Sequence, residues 1–231
     1  YQFTNAGRYK ISVRQWQGKE GVFYSLLALL IFFALIKNGF YRYLQDLLKT
    51  FFRTSVRQRQ VKDQMLQSPL PSLLLNIFFL LSTGMFLALL LQHYGLGVQF
   101  NFWLLFLYCG AALALMYLAK FLVLKVMGWV FGASEAADTY IFVVFSANKI
   151  IGIALLPVVV IIGFNTGGIN QIAVAFGAIM ILGLFAYRYF LSFVSVHHQV
   201  NIGFFHFLVY LAVFEISPLL LINKLLFGFL S

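Results

Sequence analysis

Negative charge is almost missing from this chain. Its 231 residues include six Asp and Glu against 16 Lys and Arg. Catalysis by paired carboxylates, or a hard-cation site built from an acidic cluster, lacks its raw material. Cysteine is scarcer still. Cys109 stands alone, so neither an intrachain disulfide nor a Cys-based metal site can form. There is no Walker A loop, no G-x-S-x-G, no Gly-rich dinucleotide turn and no H-E-x-x-H. Each of these would have placed a known chemistry on a known local structure. Nothing here supports an enzyme, and no cofactor or metal is expected.

What the chain has instead is apolar surface. Hydrophobic residues make up 62% and charged residues 10%, where a soluble domain carries roughly 45–50% and about 25%. One water-soluble core cannot hide that excess, so lipid is its natural solvent. The 28 Phe residues suit a lipid-facing surface. The expected fold class is all-α: a polytopic membrane helix bundle with about six transmembrane helices and a basic amphipathic segment.

Apolar runs place the spans at 21–36, 70–92, 101–119, 141–164, 169–187 and 204–222. The first is short for a crossing, which needs about 20 residues. Pro69 and Pro71 suit the first turn of the second span. Ser134 followed by Glu135 and Asp138 reads as a helix start, with acids in the first turn. Residues 1–20 form a polar tail, and 21–231 read as one transmembrane domain. The small-residue pairs Gly110/Ala114 and Ala173/Gly177 allow close helix contact inside it.

Lys and Arg in the successive loops number 7, 0, 2, 0 and 1. The positive-inside rule then puts loops one, three and five in the cytoplasm. Both termini fall outside, against the preference of a tail carrying Arg8, Lys10, Arg14 and Lys19. An upstream span or a cleaved signal would resolve that conflict.

The first loop is the basic segment, 37–68. Phe40, Leu44, Leu47, Leu48 and Phe51 recur at helical spacing, while Lys49, Arg53 and Arg57 stack at i, i+4 and Arg59 and Lys62 follow. This reads as a helix or hairpin on a membrane surface, touching anionic lipid head groups or a protein partner. No nucleic-acid module surrounds it, so nucleic acid is not an expected partner.

Glu215 lies about 11 residues into the last span, roughly 16 Å deep. A carboxylate there costs at least about 2.5 kcal/mol and demands protonation, pairing or water. Pro218 frees the carbonyl of Phe214 beside it. Lys149, in the fourth span, is a candidate partner, or a helix-end anchor whose stem snorkels outward. Pro157 interrupts the same span. His206 offers a proton relay toward Glu215, against the plainer reading of a hydrogen-bonded interfacial side chain. Asn76 and Asn148 need interhelical partners.

Three runs carry a family resemblance. They are Pro69-Leu70-Pro71-Ser72-Leu73-Leu74-Leu75-Asn76, Asn148-Lys149-Ile150-Ile151-Gly152-Ile153, and Phe205-His206-Phe207-Leu208-Val209-Tyr210-Leu211 with Glu215-Ile216-Ser217-Pro218. Together they resemble an uncharacterised family of multi-pass inner-membrane proteins of Bacteroidetes, a domain of unknown function. The resemblance implies a bacterial inner membrane and helical architecture, and transfers no activity. Two functions stay open: a non-enzymatic scaffold or accessory subunit of a membrane assembly, and a small proton- or ion-coupled transporter or channel using Glu215.

Overall fold

The structure is a computed structural model and describes residues 20–52, 68–95, 101–130, 132, 134–165 and 168–197. Six helices fill these residues: α1 (Glu20–Gly39), α2 (Tyr41–Phe52), α3 (Pro69–His93), α4 (Phe102–Val130), α5 (Ser134–Phe164) and α6 (Gly168–His197). All but α2 are long and apolar enough to cross a membrane. The expected sixth span, 204–222, lies outside the described residues.

Several bounds differ from those read in the sequence. The first span is not short: α1 runs 20 residues to Gly39, taking in Lys37 at its end. The third passes Lys120 and Lys125 and reaches Val130. Trp103 and Trp129 are exposed near its two ends, roughly 39 Å apart along the axis. That separation suits aromatic anchors at opposite interfaces. The fourth begins at Ser134, where its cap was expected, and runs 31 residues without a break at Pro157. Proline removes one donor there, but Leu155, Val158 and Val159 are buried around it, and packing against neighbouring helices offsets the loss. The fifth continues through Arg188 to His197.

Cross-helix contacts give the directions. Ser72 and Ser82 of α3 meet Lys149 and Gly152 of α5 in the same order, so these two helices are parallel. Gly84 faces Gly110 and Phe79 meets Tyr117 edge to face, so α4 is antiparallel to α3. His93 meets Asn170 and Phe86 meets Gly177, which makes α6 antiparallel to α3 as well. Val22 and Leu26 of α1 lie against Gly163 near the far end of α5. The alternation is that of five successive crossings. It places α2 at the end where α1 and α6 finish and α3 and α5 begin.

The helix α5 touches all five others. Residues 146–152 are buried on every side, as expected of a helix enclosed by others. A Cβ at Gly152 would sit 2.7 Å from the Phe79 Cα, so only glycine permits the approach of α3. At this contact the Ser82 hydroxyl donates to the Gly152 carbonyl at 2.9 Å.

Candidate functional site

The amphipathic pattern of α2 is real, but its buried face differs from the one read in the sequence. Tyr43, Leu44, Leu47 and Phe51 are buried, while Leu48 is exposed. The buried arc lies against α1 and α5. Arg42 and Lys49 point away from it, both exposed. Tyr41, Leu48 and Phe52 make an exposed apolar stripe between the two. The helix thus has three sides: one packed on the bundle, one exposed and apolar, and one exposed and basic.

Lys149 is the polar centre beneath it. Helical side chains lean toward their own N-terminus, and the N-terminal end of α5 is the α2 end. The stem therefore runs toward the membrane surface, as snorkelling requires. It stops under α2, where the residue is 3% exposed. The amine donates to the Tyr43 hydroxyl at 3.0 Å and to the Ser72 Oγ at 2.7 Å, and lies 5.5 Å from the centre of the Tyr43 ring. The levels agree. Ser72 is about 10 Å below Phe79 along α3, and Lys149 about 4.5 Å below Gly152 along α5. The lysine stem spans the remaining 6 Å or so. Burial holds the Tyr43 phenol above its ordinary range, with its hydrogen bond to Ser72 acting the other way.

A second tie fastens the other end of α2. The Tyr187 hydroxyl of α6 donates to the Phe51 carbonyl at 2.9 Å, and the two rings meet edge to face at 4.9 Å. Next to it Arg188 is 2% exposed, its guanidinium against the rings of Phe185 and Tyr189 at 4.8 and 5.1 Å. Two cations thus lie inside the bundle at its α2 end. Among the described residues no carboxylate is buried: Glu20, Glu135 and Asp138 are exposed and Asp46 is half-buried. The ion pair Lys125–Asp138, at 2.6 Å, is half-exposed across the α4–α5 turn.

Asn148 turns the other way, toward α4. Its Oδ1 accepts from the Tyr117 hydroxyl at 3.3 Å, and its Nδ2 has no partner. Asn76, one turn beyond Ser72 on the same face of α3, keeps a buried Oδ1 without a partner, as does the Ser146 Oγ. The structure therefore brings Lys149 together with Tyr43 and Ser72, and Asn148 together with Tyr117. Glu215, His206, Pro218, Arg53, Arg57, Arg59 and Lys62 lie outside the described residues. Among the described residues no three His, Cys, Asp or Glu side chains gather.

Sequence reasoning missed Tyr43, Ser72 and the burial of Arg188. Tyr43 sits among the buried apolar residues of α2, and Ser72 one turn before Asn76, so both had a periodic signal. Arg188 carried none, because a charge near the end of an apolar run normally marks the interface.

No curated protein and no solved structure matches the chain. Residues 22–226 match the family described as "Domain of unknown function (DUF4271)", and the chain belongs to that family.

Proposed function

We propose that this multi-pass helical protein is a non-enzymatic scaffold or accessory subunit of an assembly in a bacterial inner membrane. In this reading segment 37–68 faces the cytoplasm, and α2 is its docking helix, meeting anionic lipid head groups and an acidic partner. One observation carries it. The buried amine of Lys149 is used to join α2, α3 and α5, which fastens a basic amphipathic helix to the bundle with Lys37, Arg42 and Lys49 exposed. A polar group committed to holding a surface helix in place serves presentation of that surface.

A second reading keeps the transporter. The partnerless Asn76 Oδ1, Ser146 Oγ and Asn148 Nδ2 are interior groups that water would satisfy, and wet polar groups inside a bundle suit an ion path through Glu215. One pair of measurements separates the two. Native membranes are solubilised gently and the mass of the complex holding the chain is compared between wild type and Arg42→Glu/Lys49→Glu. A large complex that the double variant releases supports the subunit. Purified protein in liposomes that carries a proton flux abolished by Glu215→Gln overturns it.

A further inference from the structure

We propose that the sixth apolar run, 204–222, docks antiparallel to α6 along its Phe185–Tyr189 edge and pairs Glu215 with Arg188. The run lies outside the described residues, but the edge that receives it does not. The charges match. Of the six acidic residues, Glu215 is the one inside an apolar run. A carboxylate so placed needs a proton, a cation or water. Among the described residues the buried cations are Lys149 and Arg188. The Lys149 amine already donates to Tyr43 and Ser72, beneath α2. Arg188 is 2% exposed, and its guanidinium lies over the Phe185 and Tyr189 rings. Ring contacts use the flat face of a guanidinium and a carboxylate binds its N–H edge, so one arginine serves both.

The register matches as well. The helix α6 continues to His197, nine residues and about 13.5 Å past Arg188. Between it and the sixth run, His198, Gln199, Asn201 and Gly203 suit a reversal. A chain that turns back at the level of His197 reaches Glu215 eleven residues after Phe204, about 16.5 Å back along α6. The carboxylate then arrives within about 3 Å of the level of Arg188. The length of α6 makes this match. Had the helix ended at 187, Arg188 would sit at the turn and Glu215 about 16 Å below it. The direction of the guanidinium agrees. Tyr187 ties one side of α6 to α2. At 3.6 residues per turn, Phe185 and Tyr189 each fall about 160° around the helix from it. The guanidinium is turned to that far side, where both rings are half-buried. The inference stands whether or not the chain is a subunit of an assembly.

The test uses the full chain in uncharged detergent. Arg188→Gln and Glu215→Gln should each lower the unfolding midpoint by roughly 6–12 °C, because each strands a buried charge. The double variant strands none and should regain roughly half of that loss or more. Lys149→Met with Glu215→Gln should instead lose the sum of its two parts. A cross-link carries the test if a single variant fails to fold. Phe185→Cys and Leu219→Cys, in a Cys109→Ala background, lie about one turn beyond the pair on each helix. They should oxidise to a disulfide in native membranes. Gly183→Cys with Leu219→Cys should not, since Gly183 is exposed on another side of α6. Additive losses at Arg188 and Glu215 overturn the pairing, as does coupling of Glu215 to Lys149 in its place. Failure of the Phe185 position to cross-link, or cross-linking from Gly183 instead, overturns the docking edge.

Discussion

The helices α3 and α5 run in parallel through the middle of the bundle, while α4 and α6 run the other way along its flanks. All four are apolar enough to cross a bilayer, yet 50% and 61% of the spans in α3 and α5 are buried, against 17% in each of α4 and α6. Hydrophobicity does not make the difference. Small residues occur on both pairs, but the inner pair carries polar side chains along the middle of its length: Asn76, Ser82 and Thr83 on α3, and Ser146, Asn148 and Lys149 on α5. The outer pair carries bulky residues such as Leu107, Leu115, Phe176 and Leu182, all exposed. In lipid an apolar side chain gains little by leaving the hydrocarbon, so close packing and interhelical hydrogen bonds decide which helix is central.

That contrast breaks most strongly at the polar joint. Lys149→Ala removes the stem and the amine together and is expected to destabilise by about 2–5 kcal/mol. Lys149→Met keeps the volume without the charge and is expected to cost far less. Thermal unfolding ranks the two, and amide exchange reports whether α2 loosens before the rest. Gly152→Val comes next. Its side chain meets the backbone of Phe79, so α3 and α5 must separate, at about 1–3 kcal/mol. Gly84→Ala brings a methyl to 3.2 Å from the Gly110 Cα, where the flanking α4 can shift. The expected cost is about 1 kcal/mol, at the low end for overpacking.

Alkaline pH probes the same joint through α2. The folded Tyr43 phenol titrates above its ordinary 10.0, so the folded state holds that proton more tightly than the unfolded chain. The stability this confers is intact below pH 10.0 and is lost as pH rises through the folded value. Tyr43→Phe should remove this part of an alkaline unfolding profile. The smallest effects belong to the flanks. Leu115→Ala and Phe176→Ala face outward and should change stability by less than about 0.5 kcal/mol. A large loss at either would place a partner helix on that face and end the distinction between inner and outer pairs.

Much of the architecture was legible beforehand. Pro69, Pro71 and Ser134 mark helix starts because capping and proline tolerance are local matters. The apolar runs mark spans because the bilayer demands a fixed length. Ends were less legible. The fifth span was read as ending at 187, before Arg188, yet α6 continues to His197, because a helix does not end where the lipid does. Pro157 read as a break, and packing from both sides carried α5 through it. Of the candidate site, Lys149, Asn148 and Asn76 stood out as polar groups in apolar runs. Their partners did not, since Tyr43 and Ser72 lie 106 and 77 residues from Lys149, and no periodicity connects positions so far apart.

The sequence by itself determined the solvent, the helical class and the amphipathic character of α2. Each follows from composition or from a period of a few residues, and neither needs to know what packs where. Only the tertiary structure decided that α5 is the central helix, that Lys149 ends beneath α2 instead of at the head groups, and that Arg188 is enclosed. These outcomes depend on which helix faces a side chain, which is fixed by close packing at contacts such as Gly152 on Phe79 and not by the apolar character that all the spans share.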